Sequence, residues 1–109
     1  MSNRRRFLAL LGAAAVCTGT GAFAAEAVTV EIREYRFTPA EVKVPAGSTV
    51  KWVNREKRTT HTVRFTGPDA MESDRLFPDD TWERRFDRPG RWPYECGPHP
   101  EMKGWVIVE

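Results

Sequence analysis

Tyr94-Glu95-Cys96-Gly97-Pro98-His99-Pro100-Glu101-Met102 ends seven residues before the C-terminus of a 109-residue chain. It places a thiol, an imidazole and a thioether at steps of three. Pro98 and Pro100 flank His99, fix their own φ and stiffen the segment. On its N-terminal side Trp92, Tyr94 and Cys96 alternate as on a strand. On its C-terminal side Gly104 to Val108 (GWVIV) reads as a strand, with Val106 and Val108 on one face. The nonapeptide is therefore a tight loop between strands, able to wrap three side chains round one point. Pro93 lies within the first of these strands, which predicts an edge position or a bulge there.

The chain before this loop has the same character. Val28, Val30 and Ile32 share one face of VTVEIR, and Tyr35 and Phe37 continue the alternation. Glu41 to Val44 is a short strand stopped by the turn sequence Pro45-Ala46-Gly47. Thr49 to Asn54 puts Val50 and Trp52 on one side. His61 to Phe65 does the same with His61, Val63 and Phe65. Residues 66–80 (TGPDAMESDRLFPDD) read as a long loop or a weak strand. Thr81 to Phe86 is a strand with Trp82 and Phe86 inward, followed by the turn Asp87-Arg88-Pro89-Gly90. No stretch holds a helical period. Seven or eight short strands with frequent turns predict an all-β sandwich or barrel.

Residues 1–24 stand apart from this pattern. Arg4, Arg5 and Arg6 precede an apolar run from Phe7 to Val16, and small residues close at Ala22-Phe23-Ala24. That is the pattern of an export signal cleaved after Ala24, leaving one domain over residues 25–109. The apolar run is about half of the ~20 residues that a membrane-spanning helix needs. Asn3-Arg4-Arg5-Arg6-Phe7-Leu8 resembles the twin-arginine export motif, so a periplasmic destination is expected. Of 17 Lys and Arg, three leave with the signal; the remaining 14 face 15 Asp and Glu, a net charge of about −1. Nothing in that balance points to nucleic acid. Cys17 also leaves, so Cys96 has no partner for an internal disulfide. A lone thiol in an oxidising compartment calls for an occupant.

His61, Cys96, His99 and Met102 supply that explanation. They are both histidines, the one cysteine of residues 25–109 and one of two methionines there. Two imidazoles, a thiolate and a weak thioether form the donor set of a blue-copper centre. Zinc also takes Cys and His, but a thioether and the lack of a second Cys count against it. A Cys–His nucleophilic pair leaves His61 and Met102 unexplained. An inert buried thiol leaves the spacing unexplained.

The pattern Gly90-x-Trp92-x-Tyr94-x-Cys96-x-x-His99-x-x-Met102-x-Gly104-x-Val106-x-Val108 resembles the C-terminal signature of the cupredoxins, the small blue copper proteins. The short Cys-x-x-His-x-x-Met loop and the stretch Trp52-x-Asn54-Arg55-Glu56 before His61 are similar to the amicyanin group. The resemblance covers nearly all of residues 25–109. It implies a Greek-key β-sandwich with one copper, Cu(I)/Cu(II), at one end. It implies a monomeric periplasmic electron carrier, not an enzyme, off the membrane after signal cleavage. Its partners would be a dehydrogenase, a c-type cytochrome or an oxidase. A copper-handling or delivery protein is the alternative function. The resemblance also implies that His99 protonates and leaves copper(I) at low pH. Electrons are expected to pass at the His99 edge, through a patch that includes Pro98 and Pro100. Departures from the family pattern are a longer stretch from Asn54 to His61, Thr60 before the His, Thr62 in place of an Asn, Gly97 after the Cys, and Glu101 in the loop. In the family that Asn ties the two ligand-bearing loops together. The acidic run Asp69, Glu72, Asp74, Asp79 and Asp80 reads either as a solvated loop or as a face for a basic partner.

Overall fold

The protein is described by a computed structural model over residues 27–109. The export signal expected over residues 1–24 lies outside the described residues. Among the described residues nine strands form from the alternating runs: β1 (Ala27–Arg33), β2 (Arg36–Thr38), β3 (Glu41–Val44), β4 (Ser48–Asn54), β5 (Arg64–Phe65), β6 (Met71–Glu72), β7 (Thr81–Phe86), β8 (Gly90–Glu95) and β9 (Lys103–Val108). One sheet has the order β2-β1-β4-β7 and the other β3-β9-β8-β5-β6. Both are mixed: β1 runs parallel to β4, and β3 parallel to β9. The chain switches sheets repeatedly, as a Greek-key sandwich requires. The count exceeds the expected seven or eight because β2 and β6 are short pieces of two or three residues.

The inward faces follow the alternation. Val30, Ile32, Val42, Val44, Val50, Val106 and Val108 are buried between the sheets. Each fully buried aliphatic side chain contributes about 1.5–3 kcal/mol. Trp52 is fully buried at the centre, with Phe65, Phe86 and Tyr94 rings at 5.9, 6.5 and 5.4 Å. Trp52 also faces Trp82 across the β4–β7 pair, as the predicted inward side of β7 demands. Arg84 shares that face and lies over the rings of Phe65, Phe86 and Trp92 at 4.5, 5.2 and 5.2 Å. Its stem buries apolar surface and its charge is held against π faces.

Three local expectations are corrected. Tyr35 does not continue the β1 face. It forms with Glu34 the two-residue turn between β1 and β2, both residues having positive φ (57° and 54°). That is the turn geometry that suits the twist of a tight hairpin. Pro93 is neither on an edge strand nor at a bulge: β8 lies between β9 and β5, in unbroken register with β9. It is tolerated because it lies opposite Thr66, just past the two residues of β5, where the one remaining rung, Thr66 N–H to the Pro93 carbonyl at 3.3 Å, needs no N–H from Pro93. The strand expected over His61 to Phe65 is shorter. Val63 N–H donates to the Ser73 hydroxyl, not to a carbonyl, and only an isolated bridge pairs His61 with Leu76. Residues 71–76 accordingly run beside 61–65 as a weak strand, one of the two readings of residues 66–80.

The loop from Cys96 to Met102 joins β8 to β9 at one end of the sandwich. Tyr94 and Gly104 are paired across that hairpin, and the Tyr94 ring lies directly on Gly104. A Cβ at residue 104 would overlap the phenol ring. Gly104→Ala is therefore expected to destabilise the fold by about 1–3 kcal/mol through overpacking. Urea unfolding of the metal-free protein checks this; a change near zero would mean that the ring moves aside freely.

Candidate metal centre

Cys96 follows the last residue of β8, and its position is set by the pairing of β8 with β9. The loop then turns back on itself: Met102 N–H bonds the His99 carbonyl at 2.9 Å, and Cys96 N–H bonds the Met102 carbonyl at 3.1 Å. Glu95, next to Cys96, is gripped by Arg64 at 2.5 Å and Lys103 at 3.2 Å. These bonds close the loop at its base and direct Cys96, His99 and Met102 toward one region.

His61 arrives from the other direction. Its backbone N–H and carbonyl both bond Leu76, at 3.1 and 2.8 Å. The segment before it is organised by Asn54, which is fully buried. Asn54 Nδ2 donates to the Thr59 and Leu76 carbonyls, both at 2.9 Å, and Asn54 Oδ1 accepts from Glu56 N–H at 2.9 Å. Glu56 is thereby placed with Oε2 3.0 Å from His61 Nε2 and 3.0 Å from Tyr35 N.

The result brings together three of the residues the sequence singled out. Cys96 Sγ lies 3.4 Å from His61 Nδ1 and 3.5 Å from His99 Nδ1. One donor atom from each of the three lies within 4.8 Å of the others, the one such cluster among the described residues. His61 and Cys96 are fully buried and His99 is half-buried. Met102, also buried, closes the same loop.

The protonation chemistry fits a soft cation. Burial holds His61 below the usual imidazole range, although Glu56 pulls the other way. A neutral ring that donates Nε2–H to Glu56 presents the Nδ1 lone pair to Cys96. Burial acts to raise the Glu56 carboxyl, but the Tyr35 N–H and His61 hydrogen bonds outweigh it and keep the carboxyl below its ordinary range. Burial pushes the Cys96 thiol up, against backbone N–H groups of Thr62 and His99 that favour the thiolate. A thiol that burial disfavours as an anion, faced by two imidazole nitrogens, is a seat for a metal ion. The mixed N/S set with a buried thioether suits one type 1 copper.

Tyr35, which is not in the set of His61, Cys96, His99 and Met102, also belongs to the site. Its ring packs edge-on against His99 at 4.9 Å and His61 at 5.6 Å while remaining 48% exposed. Its hydroxyl reaches Thr59 Oγ1 at 3.3 Å. Glu56 enters the sequence pattern only as the end of the Trp52-x-Asn54-Arg55-Glu56 stretch. The sequence offers no period or spacing that links either residue to His61.

Thr62 takes over the tie between the loops. Gly97 N–H donates to Thr62 Oγ1 at 2.9 Å, and Thr62 Oγ1 donates to Glu72 Oε2 at 2.7 Å. Within the acidic run, Asp69 pairs with Arg88, Asp79 lies near Arg55, and Asp80 accepts the Phe77 N–H, all at the exposed surface.

Known proteins agree with this geometry. The family profile described as "Cupredoxin-like domain" matches residues 6–108. The chain is similar to amicyanin-alpha of Methylorubrum extorquens, 36% identical over 95% of this chain and 99% of that protein. It is 39% identical to the amicyanin of Paracoccus versutus over 78% of this chain and 67% of that one. The crystal structure of amicyanin from Paracoccus versutus superposes with a TM-score of 0.73 at 38% identity, covering 78% of this chain and 83% of that chain.

Two outcomes follow from the hydrogen bonds. Glu56→Ala frees the His61 ring and is expected to weaken copper(II) binding about 10–100-fold, read by competition titration. Thr62→Val strands the Gly97 N–H and is expected to cost about 1–3 kcal/mol in the metal-free protein, read by urea unfolding. Unchanged values would show that the loops hold their places without these bonds.

Proposed function

The chain belongs to the cupredoxin-like family, and on that premise we propose that it carries single electrons between redox partners in the periplasm, on one copper held by His61, Cys96, His99 and Met102. The observation that supports this most is the convergence of Cys96 Sγ and two imidazole Nδ1 atoms at 3.4 and 3.5 Å. Bound copper supplies a one-electron couple between its +1 and +2 states. Those states prefer different geometries, so a site that resists movement favours rapid exchange. The protein resists movement by packing and hydrogen bonds. Asn54 and Glu56 fix His61, and the closed loop fixes Cys96 and Met102. Trp52, Phe65 and Tyr94 fill the core beneath them. Burial of His61 and Cys96 keeps water from the inner side, while His99 alone of the three is partly exposed. Its neighbours Pro98 and Pro100 are exposed as well, which makes this edge the natural exit for an electron.

A protein that delivers copper needs ligands that open readily. The anchored His61 favours the carrier over that alternative. The export pattern of residues 1–24 supports the periplasm, where a dehydrogenase would supply electrons and a cytochrome or oxidase accept them. Electron-transfer encounters use small interfaces, consistent with a monomer exposing one edge of His99.

Residues 25–109 loaded with copper(II) are expected to show an intense blue absorption and a narrow copper hyperfine splitting in electron paramagnetic resonance. Cys96→Ser is expected to abolish both while the two histidines still bind copper(II). A pale wild-type spectrum with ordinary splitting would refute thiolate ligation and with it the carrier function. Fractionation of cells expressing the full chain tests the location, with recovery in the periplasmic fraction expected.

A further inference from the structure

Building on the electron-carrier reading, we propose that Glu72 lowers the reduction potential of the site, its carboxylate being seated against the loop that bears Cys96 by the linked pair Thr62 and Gly97. Glu72 Oε2 accepts the Thr62 hydroxyl at 2.7 Å, and the same hydroxyl accepts the Gly97 N–H at 2.9 Å. The carboxylate thus ends a short hydrogen-bonded chain that begins at the residue after Cys96. Such chains polarise cooperatively, each bond strengthening its neighbour.

Gly97 makes the arrangement possible. A Cβ there would collide with Glu72 Oε2 and stand 2.7 Å from Thr62 Oγ1. The carboxylate oxygen therefore takes the space that any other residue at 97 would fill. Glu72 is delivered to this position by the backbone as well. It pairs with Arg64 in β6–β5 register, and the next residue, Ser73, bonds Val63 through both its backbone and its hydroxyl. The Arg64 guanidinium bonds Glu95 and also feels the Glu72 charge across the β5–β6 pair, so it offsets that charge only in part. No ion pair neutralises Glu72 among the described residues.

A fixed negative charge beside the Cys96–Gly97 peptide favours the more positive state of a nearby ion. It stabilises copper(II) relative to copper(I). Glu72 is exposed, so solvent and salt screen this effect. Screening also supplies the means of recognising it. A charge effect shrinks as ionic strength rises, whereas an effect transmitted by altered ligand geometry does not.

The experiment is a redox titration of copper-loaded wild-type protein and Glu72→Gln, at low and at high salt. Gln keeps a carbonyl to accept the Thr62 hydroxyl, so the blue spectrum should stay unchanged while the charge is lost. At low salt, the variant's equilibrium with a fixed mediator is expected to move at least about threefold toward the reduced form. The difference should contract at high salt. Gly97→Ala, which displaces the carboxylate without removing it, is expected to shift the equilibrium the same way. An unchanged or lowered potential in Glu72→Gln overturns the proposal, and so does a shift that salt leaves intact. A wild-type protein with no blue band and no one-electron couple would instead refute the carrier function.

Discussion

The hydrogen bond between His61 Nε2 and Glu56 Oε2, at 3.0 Å, decides which imidazole nitrogen faces the sulfur. With Nε2 committed, Nδ1 is left as the free lone pair, 3.4 Å from Cys96 Sγ. Glu56 can do this because Asn54 holds its backbone and Tyr35 N–H donates to the same carboxylate oxygen, Oε2, that meets His61. Asn54 in turn is the last residue of β4, placed by the pairings of β4 with β1 and β7. The tautomer of one buried ring is thus connected by hydrogen bonds to the centre of the first sheet. The second sheet supplies Cys96 through β8 and β9. The site forms where the ends of the two sheets meet, and neither sheet alone contains it.

How much of this is legible in the chain depends on range. Period-two alternation reports which side of a strand is apolar, so Val30, Trp52, Phe86 and Val106 were placed inward correctly. The steps of three from Cys96 to Met102 report a loop that closes on itself, and the donor chemistry identifies its occupant. His61 was reached through its residue type, since the 35 residues separating it from Cys96 carry no geometric signal. Tyr35 shows the limit of the pattern. It obeys the alternation with Phe37, but a hairpin turn with two positive φ values intervenes and turns it out toward the histidines. Pro93 shows another. The absent N–H predicts an edge or a bulge, whereas the structure accommodates it through the brevity of the neighbouring β5. Pair patterns within a strand are visible in sequence, whereas the length of the strand beside it is not.

Thr62, Gly97 and Glu72 appear in the sequence as unrelated choices, two of them departures from the family pattern. In the structure they form one unit. An Asn side chain at position 62 could carry both a donor and an acceptor across the loops by itself. A hydroxyl is shorter and has one proton, so after accepting from Gly97 N–H it must give that proton away. Glu72 is the acceptor. Its carboxylate needs room, and only a glycine at 97 leaves it. Removing the Thr62 hydroxyl or the acceptor at 72 leaves a polar group without a partner, and a side chain at 97 puts two groups in the same space. The substitution of Thr for Asn therefore constrains the other two positions and brings a charge toward the Cys96 loop as a consequence. Preserving the connection between the loops and changing the electrostatics of the site are, in this arrangement, the same event.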